Sequence, residues 1–143
     1  MKEYPIDFNT EMVKAILKGR KTQTRRPVKE SKIDKNGTKG HIFCPYGKIG
    51  DNLWVREPKA LCMGININLK ITNIKVEQIQ DITTTDAWNE GCPHSDVSAI
   101  SMWFKPYWDS IYKEKGYGWD VNPLVWVIEF CPPNISNYEQ QIK

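Results

Sequence analysis

The longest uninterrupted apolar run in the chain is the five residues from Leu124 to Ile128, far below the roughly 20 that a helix needs to cross a bilayer. Each element must therefore be short or amphipathic, and the interior must be assembled from several of them. A chain of 143 residues, 40% hydrophobic and 26% charged, suits one globular domain around one core. The first turns carry charge and Pro5 where a secretory signal would place its apolar stretch, so the sequence predicts a soluble protein of the cytoplasm with no membrane partner.

Periodicity divides the chain into short pieces. Asn9 or Thr10 caps a helix in which Met12, Val13, Ile16 and Leu17 form one apolar face, and Gly19 stops it. Lys21 to Val28 reads as extended, ended by Pro27 and followed by a polar, glycine-containing loop. Leu53 to Glu57 alternates as a strand. In Leu69 to Val76 the apolar phase slips, and a bulge near Thr72 or Asn73 would restore it. Thr84 or Thr85 caps a short helix ended by Gly91, and Ser95 or Asp96 caps another carrying Val97, Ile100 and Phe104. Pro106 restarts the chain, with Trp108, Ile111 and Tyr112 as a second helical stripe. Leu124 to Phe130 is β-branched and aromatic on both faces and reads as the most buried strand. Residues 132–143 lack periodicity and read as a flexible tail, leaving residues 1–131 as the domain. Short strands among short helices, without regular βαβ alternation, favour an α+β fold built as a small barrel with flanking helices.

Charge is unevenly spread. Between Lys18 and Lys39 nine basic residues stand against Glu30 and Asp34, while the chain as a whole is only +3. Such a stretch is either a solvated loop or a surface that attracts phosphate. Cys44, Cys62, Cys92 and Cys131 have no CxxC spacing and read as free thiols. His41 with Cys44, and Cys92 with His94, offer zinc-type ligands without a usual structural spacing, so no metal and no cofactor are expected.

The segment Gly19-Arg20-Lys21-Thr22-Gln23-Thr24-Arg25-Arg26, after an amphipathic helix, resembles the opening signature of ASCH domains. The blocks Cys44 to Gly47, Gly50 to Glu57, Asp86 to Gly91 and Trp119 to Phe130 resemble the version found in bacteriophages and prophages. The resemblance implies a small PUA-like β-barrel with a cleft, and an association with RNA. It also implies a relation to small amidohydrolases that remove the acetyl group of N4-acetylcytidine with a Lys, a Thr and a Glu. On this chain those positions fall on Lys21, Thr24 and Glu90, and Arg26 matches the basic residue that closes the motif.

The chemistry sets its own conditions. A hydroxyl nucleophile needs a base, and a lysine serves only if burial or neighbouring cations, here Arg20, Arg25 or Arg26, lower its pKa. Glu90 would hold a proton for the leaving amine or orient the lysine. In a regular strand Lys21 and Thr24 face opposite ways, so Lys21 must lie in the turn after Gly19 or the backbone must be irregular. Alternatively, Thr24 is an ordinary strand residue and Lys21 a phosphate-facing cation. Among Tyr46, Trp54, Trp119 and Trp126, Trp54 is the best base-stacking candidate, because Arg56 shares its face and Glu57 follows. Three functions remain: hydrolysis of an acyl amide on a modified nucleoside or RNA, RNA binding without catalysis, and RNA cleavage with Glu90 as base and Lys21 and Arg26 stabilising a pentavalent phosphate.

Overall fold

A computed structural model of the chain describes residues 2–29, 44–56 and 67–131. Five strands, β1 (Glu3–Asp7), β2 (Gln23–Pro27), β3 (Asn52–Arg56), β4 (Asn68–Gln78) and β5 (Leu124–Phe130), form one sheet in the order β1-β3-β4-β5-β2. β1 runs parallel to β3 and every other pair is antiparallel. Three helices accompany them: α1 (Thr10–Leu17), α2 (Thr84–Asn89) and α3 (Val97–Tyr112). No helix among the described residues is long and apolar enough to cross a membrane.

β5 carries the architecture because both its faces are covered. Trp126, Ile128 and Phe130 join a cluster with α1, β1 and β3, whereas Val125 and Val127 join a second cluster with Ala87 of α2 and Ile100, Phe104 and Trp108 of α3. The core thus lies on both sides of the sheet, not in one mass as composition suggested. An antiparallel strand with helices on each face has no solvent side, which is why its sequence shows no polar alternation. Beside it, β4 pairs Ile71 with Phe130 and Asn73 with Glu129, leaving Thr72 as the extra residue of a bulge. The bulge brings Ile74 onto the first cluster, but Val76 stays 41% exposed.

The expected barrel is not closed. β1 and β2 are the two edges, and no ladder joins them among the described residues. The reason lies in what occupies the free edge of β2. The Asn89 carbonyl accepts the Thr22 N–H at 2.8 Å, and the Glu90 carboxylate accepts the Arg25 N–H at 2.8 Å. The C-terminal end of α2 therefore fills the place of a pairing strand.

Two helix expectations also change. The cap of α2 is Thr83, whose side chain accepts the Asp86 N–H while Asp86 reaches back to the Thr83 N–H. Pro106 does not restart the chain but sits inside the continuous α3, which Asp96 caps. Proline in a helix forfeits the bond to the carbonyl four residues earlier. Here Pro106 and Met102 lie on the exposed side, so water can solvate that carbonyl, while Phe104 and Trp108 pack on the other. The strand β1 carries no clear sequence signal, since Pro5 interrupts it, and proline is tolerated in an edge strand.

Candidate functional site

The gap between the β1 and β2 edges is a cleft of about 360 Å³. Asp7, Phe8 and Asn9 come from the end of β1 and the residues after it, Met12 from α1, Lys21, Thr24, Arg25 and Arg26 from β2 and the turn before it, Glu90 from the end of α2, and α3 with Lys115 just beyond it supplies the remaining wall. Among the described residues a side-chain bond spans the gap, from Arg26 Nη2 to the Asp7 carbonyl at 2.8 Å.

Lys21 precedes the strand. Gly19 ends α1 with a positive φ of 76°, and the N–H groups of Arg20 and Lys21 both return to the Ala15 carbonyl. That turn removes the alternation that would have separated Lys21 from Thr24, meeting the condition set by the sequence. Lys21 is 3% exposed, and its Nζ donates to the carbonyls of Gln23 at 2.7 Å and Glu90 at 2.8 Å. Its distance to the Glu90 carboxylate is 3.8 Å. Burial, with help from the Arg26 and Arg25 guanidiniums, lowers the Lys21 ammonium from its ordinary 10.5 to about 8, against the opposing pull of Glu90.

Glu90 caps α2, and Gly91 beside it has φ of 110° with the Met12 sulfur only 3.1 Å from where a Cβ would stand. The close approach presses the end of α2 onto α1 and Lys21. Both Glu90 oxygens are engaged, Oε1 by the Arg25 N–H and Oε2 by the Arg25 guanidinium at 2.7 Å. Arg25 is fully buried and also meets Glu77 at 2.8 Å and Asp86 at 3.3 Å, and donates to the Gln23 side chain. Its Nε has no partner among the described residues, and we have no physical account of that. Thr24 is 3% exposed, and its hydroxyl accepts from Arg26 Nε at 3.3 Å. No hydrogen bond joins Thr24 to Lys21 among the described residues.

Lys21, Thr24, Glu90, Arg25 and Arg26 thus share one cleft, but the other candidates lie elsewhere. Arg20 donates to the Gly91 and Cys92 carbonyls and staples the turn after α2. Trp54 and Arg56 point outward from β3, where Arg56 pairs with Asp7 at 2.9 Å. Trp126 is core, and Tyr46 packs half-buried against that core, 5.9 Å from the Arg26 guanidinium. Glu57, His41 and Cys62 fall outside the described residues, as do Lys32, Lys35 and Lys39 of the basic stretch. Cys44, Cys92 and Cys131 are free thiols.

Sequence reasoning missed Phe8, Tyr107, Tyr112 and Lys115, all of which line the cleft. Phe8 lies under Arg26, 5.0 Å from its guanidinium carbon. Tyr107 stacks on Trp103 at 4.7 Å, and burial pushes its phenol up to about 12, so it remains a hydrogen-bond donor at neutral pH. A continuous helical stripe through Phe104, Tyr107, Trp108, Ile111, Tyr112 and Lys115 was present in the sequence, but reading Pro106 as a break divided it.

No family model and no curated protein sequence matches the chain. Solved structures do. The chain is similar to an ASCH domain from Lactobacillus crispatus at 15% identity and TM-score 0.59, covering 90% of this chain and 78% of that one. It is similar to a protein from Enterococcus faecalis at 11% identity and TM-score 0.56, covering 91% and 79%. It is also similar to a mutant of the ASCH protein from Zymomonas mobilis at 13% identity and TM-score 0.51, covering 92% and 70%. At such identities the likeness shows a shared α+β fold.

Proposed function

We propose that this chain, which has the fold of ASCH domains, is an ASCH protein of the bacteriophage and prophage type that binds RNA or a modified nucleoside in the Lys21 cleft. In that cleft it hydrolyses an acyl amide on the base, of the N4-acetylcytidine kind. The observation that carries this reading is the environment of Lys21. Its amine is buried, titrates near 8, and shares the cleft with the Thr24 hydroxyl and the Glu90 carboxylate. Two backbone carbonyls take two N–H groups. A neutral amine satisfies both and keeps its lone pair for a proton, which is what a general base needs.

In the proposed reaction the Thr24 oxygen bonds the acyl carbon and gives its proton to Lys21 through one bridging water. The carbonyl electron pair moves onto the acyl oxygen. When the intermediate collapses, the carbon–nitrogen bond breaks and the leaving amine takes the proton back from Lys21. Water then hydrolyses the threonyl ester, with Lys21 again as base. Glu90 acts as a positioning residue, because Arg25 occupies both its oxygens. The same occupancy leaves no support for Glu90 as the base of an RNA-cleaving reaction.

One observation favours binding without catalysis: the Thr24 hydroxyl is bonded to Arg26 and not to Lys21. The deciding experiment is incubation with N4-acetylcytidine, with chromatographic detection of cytidine and acetate. Release of both supports the hydrolase. Saturable binding without release leaves the binding module, and the absence of both removes N4-acetylcytidine as ligand and substrate and leaves RNA binding alone.

A further inference from the structure

The cleft's charges are not all spent within it. Its two acidic lining residues, Asp7 and Glu90, are each paired with an arginine, Asp7 with Arg56 and Glu90 with Arg25. Arg26 and Lys115 also line it, and neither has a carboxylate within 4.0 Å among the described residues. The two cations stand on different walls, one on β2 and one just past the end of α3. Both bear on Tyr112: Lys115 Nζ is 5.7 Å from its ring, and Arg26 is among the charges that act on its phenol.

The position of Lys115 is set by the turn that follows α3, in which its N–H donates to the Tyr112 carbonyl at 3.1 Å. Phe104, Tyr107, Trp108, Ile111, Tyr112 and Lys115 recur at the three- and four-residue steps of one helical face. On that face Phe104 and Trp108 are buried, Tyr107, Ile111 and Tyr112 are half-buried, and Lys115 at the rim is exposed. An aromatic wall that ends in a cation offers a flat ring surface below and an anion site above.

We infer that Lys115 and Arg26 form a phosphate site at the mouth of the cleft, so that its ligand is a phosphorylated one, either a nucleotide or a phosphodiester of an RNA strand, with the base against Tyr107 and Tyr112. This rests on the reading of the cleft as a nucleoside site. Unpaired cations at the rim add charge-assisted bonds to a phosphate that a bare nucleoside cannot make.

The test is calorimetric titration of wild type, Lys115→Ala and Lys115→Arg with three probes: cytidine, cytidine 5′-monophosphate, and tetracytidylate lacking terminal phosphates. In wild type at low salt, at least one phosphorylated probe should bind about tenfold more tightly than cytidine, a preference that fades as salt rises. Lys115→Ala should collapse the ratio of the two dissociation constants, and Lys115→Arg should restore it. A preference for the monophosphate assigns the site to a terminal phosphate, and a preference for tetracytidylate alone assigns it to an internal diester. Equal binding of cytidine and both phosphorylated probes, or a ratio that Lys115→Ala leaves intact, overturns the inference while the nucleoside site stands. Failure of all three probes to bind overturns the site and the inference together.

Discussion

Glu90 holds Arg25 at two points, the backbone N–H through Oε1 at 2.8 Å and the guanidinium through Oε2 at 2.7 Å. One side chain thereby occupies the open edge of β2 at Arg25 and fixes the arginine whose Nη2 meets both Glu77 and Asp86. The same residue's carbonyl accepts from Lys21 Nζ at 2.8 Å, so the backbone of Glu90 holds Lys21 while its side chain holds Arg25. A buried ion pair of this kind is weak evidence for net stability, yet breaking it is expensive because the partner stays behind.

Glu90→Ala should therefore destabilise the fold by about 3 kcal/mol, since it strands a buried guanidinium and the Arg25 N–H. Glu77→Ala should cost less, because Glu77 is 17% exposed and Asp86 and Glu90 remain on Arg25. Urea unfolding of the two variants beside wild type measures the difference. Equal midpoints for Glu90→Ala and wild type would show that α2 is held at β2 by other contacts.

Lys21 gives a pH dependence whose sign can be worked out. Its ammonium titrates near 8 in the fold and near 10.5 in the unfolded chain. Between those values the unfolded state holds more protons, so stability should rise with pH across that window, and below about 8 the cost of the buried charge is felt in full. If Lys21 is the base, kcat/KM should rise through about 8 and level off. Lys21→Met should remove this part of the stability slope, as read from unfolding at several pH values. An unchanged slope would place the titration elsewhere.

How far the sequence carried the argument depends on whether a residue's environment was local. The bulge at Thr72 and the burial of β5 were legible because apolar phase is a property of neighbouring positions. The turn that frees Lys21 from strand alternation was legible as a condition, since Gly19 announces it. The open gap between β1 and β2 was not, because it depends on Glu90 reaching a strand 65 residues earlier. Trp54 and Arg56 do share a face, as alternation required, but local pattern cannot tell which side of a sheet a cleft will occupy. The basic stretch divides in its described part, while Lys32, Lys35 and Lys39 lie outside the described residues. Lys21 and Arg25 within it turn inward, while only Lys18 and Lys29 of its described lysines are exposed.

Pro106 supplies a test of the continuous α3. The helix tolerates it because Phe104, Trp108 and their neighbours pack on the opposite side, and Trp108 adds a bond from Nε1 to the Tyr117 carbonyl at 2.8 Å. Pro106→Ala restores an N–H for the Met102 carbonyl and should stabilise the protein by about 1 to 3 kcal/mol, seen as a higher melting temperature. A loss of stability would mean that the proline's restriction of the unfolded chain outweighs the bond it removes.

The last expectation separates an enzyme from a binding module by following turnover and affinity in the same variants. Thr24 is 3% exposed and contributes only a hydroxyl to the cleft. As nucleophile, that hydroxyl acts in the transition state far more than in ground-state binding, so Thr24→Ala should bind N4-acetylcytidine nearly as wild type does and lose turnover. Lys21→Ala should lower turnover by roughly 10²- to 10⁴-fold, the range for removal of a general base, and weaken binding as well by deleting a cation. In a binding module, wild type releases no acetate, Lys21→Ala weakens binding modestly, and Thr24→Ala changes little. Full turnover in Thr24→Ala would exclude the threonyl ester even in an active hydrolase. Lys21 would then have to activate a water directly, and Lys21→Ala would remain inactive while no acyl group could be trapped on the protein.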